Sequence, residues 1–81
     1  MLTLTSGGPQ VLGRSSEADL CIDDACLSGK HVALELYDGV VRFEDLKSRN
    51  GTHLNGVLRE RGELGSGDTL SVGSLEVALA D

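Results

Sequence analysis

Turn signals break this chain every few residues, and no stretch keeps helical periodicity over the roughly twelve residues that a helix would need. The clearest signal is Asp38-Gly39, which separates one alternating run over 31–37 from another over 40–45. Asp-Gly between two such runs is typical of a type I′ hairpin turn, because both central residues of that turn require a positive φ. The chain is therefore predicted to consist of short antiparallel strands.

Other breaks divide the rest of the chain in the same way, at Asn55-Gly56, Gly65–Gly67 and Gly73-Ser74. Between them, short apolar or alternating runs are expected to form strands at 2–5, 11–12, 20–22, 52–54, 57–59, 69–72 and 75–79. The apolar runs at 11–12 and 20–22 are expected to be buried, Cys21 included. The pattern predicts an all-β sandwich of about nine to eleven short, mostly antiparallel strands. Because a chain of 81 residues can bury only one modest core, we expect a single domain over 1–81.

The charge of the chain limits the partners it can bind. Its formal net charge is −6, whereas nucleic acids and anionic membranes require broad faces of clustered Lys and Arg. Four basic residues nevertheless fall in predicted loops: Arg14, Lys30, Lys47 and Arg49. An acidic domain with cations at its loop ends is suited to binding a small anion rather than a polyanion.

The two cysteines, Cys21 and Cys26, are too few and too close together to indicate a disulfide framework. The N-terminal residues do not resemble a signal peptide, and no apolar run approaches the length of about eighteen residues that a membrane span needs. We therefore expect a reducing, cytoplasmic compartment and no direct insertion into a membrane.

The polar residues that could carry chemistry lie in the predicted loops. They form four short motifs in chain order: Gly13-Arg14, Ser28-Gly29-Lys30-His31, Ser48-Arg49-Asn50-Gly51-Thr52 and Asn55-Gly56. Loops at one end of a β-sandwich commonly carry recognition. Each motif alone has little specificity, but the ordered combination is specific.

This combination resembles the forkhead-associated (FHA) domain family, and the resemblance extends from about Gly13 to Gly73. It implies an FHA-type sandwich that binds phosphothreonine-containing peptides or proteins, with no cofactor and no metal. The chemistry is consistent with that expectation, because a phosphothreonine carries about −1.5 to −2 charges and three strong acceptor oxygens. Its receptor needs a fixed cation and oriented donors.

The resemblance also implies a role for each residue. Arg14 supplies the cation, whose planar fork can meet two phosphate oxygens, and Ser28 supplies a neutral donor. Arg49 adds a further donor, and the carboxamide of Asn50 pairs with the peptide backbone. The residues expected to bind the phosphopeptide are Arg14, Ser28, Gly29, Lys30, Ser48, Arg49, Asn50 and Asn55. Those expected to support the site are Gly13, which lets the chain turn so that Arg14 points outward, together with His31, Gly51 and Thr52.

The chain departs from the family pattern at Gly29, where the family commonly has Arg, Lys or Asn. A side-chain donor is lost there, so we expect weaker binding than in a member with the full set. Lys30 compensates only in part, because alternation along the adjoining strand aims its side chain elsewhere.

The same residues allow three other interpretations. A hydrolase-like set of Ser28, His31 and Asp45 lacks a nucleophile elbow and an oxyanion hole. A metal site made of Cys21, Cys26, His31 and His53 lacks paired Cys-x-x-Cys spacing, and His53 is expected to face solvent. The main alternative is an FHA-fold docking domain used for phosphate-independent assembly, for example in the cytoplasmic part of a bacterial secretion apparatus.

Overall fold

The computed structural model describes residues 8–78. Within that range the chain forms nine strands, and the described residues contain no helix that could cross a membrane. The strands are β1 (Gln10–Gly13), β2 (Leu20–Cys21), β3 (Val32–Tyr37), β4 (Val40–Asp45), β5 (Thr52–Leu54), β6 (Val57–Leu58), β7 (Arg61–Leu64), β8 (Thr69–Val72) and β9 (Leu75–Ala78). The strand expected over 2–5 and the last residue of the run 75–79 lie outside the described residues.

The strands form two sheets, which confirms the predicted all-β sandwich. One sheet has the order β2-β1-β3-β4-β7 and the other the order β6-β5-β8-β9. All pairs are antiparallel except β1 with β2, which run parallel. This topology brings the connections 22–31, 46–51 and 59–60 and the turn between β8 and β9 to the same end of the sandwich. That end is called the loop end below.

The core lies between the sheets and consists mainly of aliphatic side chains. Its buried members are Leu12, Leu27, Val32, Leu34, Val41, Phe43, Leu64, Leu70 and Val72. Along β4, Val41 and Phe43 face inward while Arg42 and Glu44 face solvent, as the period of two requires. Burying a side chain of this size stabilises a fold by about 1.5–3 kcal/mol, so this small cluster supplies most of the driving force.

The backbone confirms the type I′ turn predicted at Asp38-Gly39 and shows the same conformation at the break predicted at Asn55-Gly56. Asp38 and Gly39 have φ angles of 51° and 80°, and Asn55 and Gly56 have 51° and 84°. Both central residues of each turn therefore have a left-handed backbone conformation. The twist of such a turn matches the twist of the two antiparallel strands that it joins. These turns set the register of β3 with β4 and of β5 with β6.

The structure corrects two expectations. Cys21 is exposed, because β2 is an edge strand: Leu20 in the strand and Ile22 directly after it pack on the core, and the residue between them faces the opposite side. The run Arg61–Leu64 was not predicted as a strand, yet it pairs with β4 along its whole length. Its Gly62 lies against the Phe43 ring, where an added Cβ would approach to 3.1 Å. The tertiary pairing overrides the weak strand propensity of this segment.

Candidate functional site

The His31 side chain joins two of the motif-bearing loops at the loop end. Its side chain is fully buried and has a partner on each ring nitrogen. Nδ1 accepts a hydrogen bond from the Ser28 backbone N–H at 3.1 Å, and Nε2 lies 2.8 Å from the Gly51 carbonyl oxygen. Because Nδ1 accepts, Nε2 carries the proton and donates to Gly51. The ring therefore connects loop 22–31 to loop 46–51.

Gly13 is required by a close approach of two backbones. A Cβ atom at this position would lie 2.1 Å from the Gly29 carbonyl oxygen. The same approach allows Arg14 N–H to donate to Ser28 O and Ser15 N–H to donate to Gly29 O, both at 3.0 Å. Glycine is therefore needed here for the close approach of the two backbones and not, as expected, for a turn, since the φ of Gly13 is not positive. Arg14 is held beside Ser28 as a result.

Asp45 organises the loop that carries Arg49 and Asn50. Its carboxylate accepts hydrogen bonds from the Ser48 N–H at 3.0 Å, the Ser48 hydroxyl and the Thr52 hydroxyl at 2.8 Å. Burial acts to raise the pKa of Asp45, but the hydrogen bonds from Ser48 and Thr52 outweigh it and hold the pKa below its usual value. The loop is therefore built around a carboxylate that remains ionised at neutral pH.

Two hydrogen bonds connect this loop to the Ser28 loop. Arg49 N–H donates to the Ser28 Oγ at 2.9 Å, and the Asn50 side-chain amide donates to Cys26 O at 2.8 Å. Since the Ser28 oxygen accepts, its own O–H remains available to donate. The carboxamide oxygen of Asn50 has no partner among residues 8–78, so it can still accept from a ligand.

Backbone donors lie beside Ser28 as well. The N–H groups of Gly29 and Lys30 have no hydrogen-bond partner within the described part of the chain. Gly29 is exposed, and the Lys30 side chain is exposed too. Unpaired amides next to a hydroxyl and a guanidinium form a set of donors suited to a tetrahedral oxyanion.

Arg14 is exposed at the edge of this donor set and is paired with an acid that sequence reasoning did not identify. Its Nε lies 3.5 Å from the Asp23 Oδ1, and the Asp23 side chain is almost entirely exposed.

The neighbouring Asp24 has a structural role, because its carboxylate accepts hydrogen bonds from the Cys26 N–H and from Ser74. The hydrogen bond from the Ser74 hydroxyl, followed by that from Cys26 N–H, lowers the pKa of Asp24. Asp24 thus attaches loop 22–31 to the β8–β9 turn.

Two of the residues expected to touch the ligand are occupied internally. Ser48 donates through its hydroxyl to Asp45 and accepts from Gly51 N–H at 2.9 Å. Asn55, at the far end of β5 from loop 46–51, donates to Asp68 at 3.0 Å and accepts from Thr69 N–H at 2.9 Å. The geometry brings Arg14, Ser28, Gly29, Lys30, Arg49 and Asn50 to the loop end and gives Ser48 and Asn55 structural contacts.

The structural roles of the acids could be found only partly from sequence. Asp45 precedes Ser48 by three residues, the spacing at which an Asp side chain commonly accepts from a turn backbone. Asp24 precedes Cys26 by two residues, which is a similar turn signal. The ion pair between Asp23 and Arg14 has no such local signal, because it joins two different loops.

The geometry does not assemble the hydrolase-like set. His31 Nδ1 faces the backbone N–H of Ser28 rather than its hydroxyl, and Asp45 binds Ser48 and Thr52. Among residues 8–78 no group of three or more His, Cys, Asp or Glu side chains is arranged to hold a metal ion. His53 is half-buried on β5.

The comparisons with known proteins agree with this geometry. The FHA domain model matches residues 11–73, which is most of the chain. The chain belongs to the FHA domain family. The match begins in β1 and ends in the β8–β9 turn, so it includes the loops 22–31 and 46–51.

A curated protein is similar to this chain over most of its length. The oxoglutarate dehydrogenase inhibitor of Corynebacterium diphtheriae is 32% identical over 69 residues, which are 85% of this chain and 48% of that protein. This chain thus spans about half the length of that relative.

Solved FHA structures superimpose closely. The FHA domain of Mycobacterium tuberculosis FhaA, in complex with the intracellular domain of Rv3910, has a TM-score of 0.81 and 28% identity, and the alignment covers 93% of this chain and 81% of that one. A structure from a study of phosphothreonine-dependent FHA domain interactions has a TM-score of 0.82 and 28% identity, with 93% and 77% covered.

Proposed function

We propose that this FHA domain is a phosphothreonine-dependent peptide-binding module that mediates regulated protein–protein interaction. One observation carries the proposal: the buried His31 joins loop 22–31 to loop 46–51, and the Arg14 backbone is hydrogen-bonded to Ser28, so that Arg14, the available Ser28 hydroxyl and two unpaired backbone amides lie at the same end of the sandwich. A donor set held in place before binding loses little conformational freedom on binding, and this favours affinity for a small anion. The relation to structures studied for phosphothreonine-dependent interactions supports the same ligand.

In this proposal Arg14 and Ser28 bind the phosphate, with Gly29 N–H and Lys30 N–H as further donors. The free carboxamide oxygen of Asn50 accepts from the backbone of the extended peptide. Asp45, Thr52 and His31 position these groups and do not touch the ligand. The domain acts by binding rather than by catalysis.

A single domain of this size, placed in a longer protein, would serve as its recognition part. The chain spans 48% of the inhibitor relative, which is consistent with a domain embedded in a larger chain. The cysteines Cys21 and Cys26 are both free and exposed, and this suits a reducing cytoplasm.

The test is a titration by fluorescence anisotropy with a library of phosphothreonine peptides and their unphosphorylated twins. We expect binding only of phosphorylated peptides, with affinity falling as the pH drops below the second phosphate pKa of about 6. Equal binding of both twins would contradict the proposal. So would an affinity that stays constant from neutral pH to about pH 5.

Phosphate-independent docking is the second candidate, and one contact favours it. The Arg14 cation is already paired with Asp23, and the family's usual side-chain donor is missing at Gly29. An assembly role also suits the relation to FhaA, which was solved with a partner protein domain. Equal affinity for the unphosphorylated twin would favour this candidate.

A further inference from the structure

Ser15 borders the space that Gly29 leaves open at the loop end. A Cβ atom at Gly29 would lie 3.6 Å from the Ser15 Cβ, which is an ordinary contact between neighbouring side chains. Apart from the chain neighbours of Gly29, no other atom of the described residues would lie within 4 Å of it. Ser15 therefore adjoins the position at which this chain lacks the side-chain donor that its family commonly has.

Backbone hydrogen bonds fix Ser15 beside the Ser28 loop. Its N–H donates to Gly29 O at 3.0 Å, and the N–H of the preceding Arg14 donates to Ser28 O at 3.0 Å. The Ser15 carbonyl accepts from the N–H of Ala18 at 3.0 Å, and Ala18 is buried. A donor on this residue is thus held in position before a ligand arrives, so that little conformational freedom is lost on binding.

The Ser15 hydroxyl is in the same state as the Ser28 hydroxyl. The Oγ of Ser15 accepts from Glu17 N–H at 3.1 Å, as the Oγ of Ser28 accepts from Arg49 N–H at 2.9 Å. Neither hydroxyl donates to an acceptor within residues 8–78, so each keeps its one O–H for a ligand. Ser15 is half-buried, and a ligand at the loop end can therefore reach this O–H.

We propose that Ser15 is a further phosphate-binding residue, whose hydroxyl donates to the phosphothreonine in place of the side chain that is missing at Gly29. Ser15 directly follows Arg14, so one short segment after β1 supplies both a cation and a neutral donor. The inference rests on the proposed function, since the phosphate is the group that the hydroxyl binds. It goes beyond that function by assigning to this chain a compensation for its departure from the family pattern.

The experiment measures the affinity for the phosphothreonine peptide that binds most tightly in the library, together with the melting temperature of each variant. Ser15→Ala removes the hydroxyl and Ser15→Thr keeps it. Ser15→Asp keeps an acceptor for the Glu17 N–H but replaces the O–H with a negative charge. Ser16→Ala and Ser16→Asp are the matched controls, because Ser16 is adjacent and exposed and its side chain makes no hydrogen bond within the described part of the chain.

We expect Ser15→Ala to weaken binding about three- to tenfold, the effect of losing a partly exposed hydrogen bond to a charged group. Ser15→Thr should retain most of the affinity of the parent. Ser15→Asp should bind more weakly than Ser15→Ala at a melting temperature close to that of the parent, because the turn is kept while the phosphate is repelled. Both Ser16 variants should bind like the parent, since an added charge that is exposed and not in contact with the ligand is screened.

The proposal is overturned if Ser15→Ala binds like the parent, if Ser15→Thr is as weak as Ser15→Ala, or if Ser15→Asp loses no more affinity than Ser16→Asp. A role of Ser15 in the turn alone predicts the last outcome, because Asp preserves the turn. Should Ser15→Ala be unstable, the Thr and Asp variants decide, since both keep the acceptor for the turn. In each of these cases the parent still binds phosphopeptides and the proposed function stands, whereas a parent that binds no phosphopeptide would overturn both.

Discussion

The carboxylate of Asp23 lies 3.5 Å from the Nε of Arg14, the cation expected to meet the phosphate. A phosphate bound to the remaining guanidinium nitrogens would therefore lie close to a negative charge. The Asp23 side chain is 95% exposed, so it can swing into solvent. In the free domain, however, its negative charge partly compensates the positive charge of Arg14. Asp23 thus competes with the ligand for Arg14.

Removing this competitor should strengthen binding. We expect Asp23→Asn to tighten phosphopeptide binding about two- to fivefold, the range of an exposed pair, with the gain shrinking at high salt. Calorimetry at two salt concentrations measures the effect, and Glu35→Gln, the substitution of a half-buried acid on the larger sheet, is the control for net charge. Weaker binding of Asp23→Asn would mean instead that Asp23 helps to orient Arg14 for the ligand.

Removing the cation should have a larger effect. A hydrogen bond to a charged group is worth about 1.5–3 kcal/mol, so Arg14→Ala should weaken phosphopeptide binding tenfold or more. Arg14→Lys should recover only part of the loss, since an ammonium cannot meet two phosphate oxygens in the same fork geometry. Anisotropy titration measures both variants, with Arg42→Ala as a control that also breaks an ion pair, to Glu63. Parent-like affinity of Arg14→Ala would show that the phosphate binds elsewhere.

Restoring a side chain at Gly29 should tighten binding. Gly29 does not have a positive φ, and a Cβ there would meet only Ser15 Cβ at 3.6 Å, an ordinary contact. Gly29→Arg should therefore fold normally and add a partly exposed charge-assisted contact of about 1 kcal/mol. Calorimetry together with the melting temperature decides the outcome. Unchanged or weaker binding at a preserved melting temperature would favour the docking role.

Gly13 should tolerate no side chain. Its Cβ would lie 2.1 Å from Gly29 O, a backbone atom that cannot move without shifting the loop. We expect Gly13→Ala to reduce the free energy of unfolding by roughly 1–3 kcal/mol, as overpacking does, while Gly29→Ala remains close to the parent. Urea denaturation of the two variants makes the comparison. Similar stabilities would show that the two backbones separate at little cost.

Protonation of the Asp45 carboxylate should contribute to the loss of stability at low pH. Its pKa is lowered in the folded state, so its contribution is present above the unfolded value of about 4 and is lost as the pH falls through the folded pKa. Asp45→Asn should be less stable than the parent at pH 7, and the difference should narrow below about pH 4. Denaturation across pH measures this. A difference that stays constant through that range would mean that the carboxylate charge contributes nothing.

The sequence by itself determined most of the strand-and-turn pattern, and it indicated which groups are the candidates for binding the ligand. Asp38-Gly39 and Asn55-Gly56 could be predicted because a type I′ turn is set by the φ preferences of two adjacent residues. The ordered motifs around Arg14, Ser28 and Asn50 indicated the family for a similar reason, since each occupies a few consecutive residues. These are local properties that need no knowledge of the packing.

The tertiary structure alone decided which groups are free to act. Asn50 donates to Cys26, 24 residues away, and Arg49 donates to Ser28, 21 residues away. The exposure of Cys21 likewise depends on β2 being an edge strand. Such relationships follow from sheet register and from closure of the sandwich, which bring distant segments together. No short stretch of sequence encodes them, and so the position of Asp23 beside Arg14 emerged only from the folded chain.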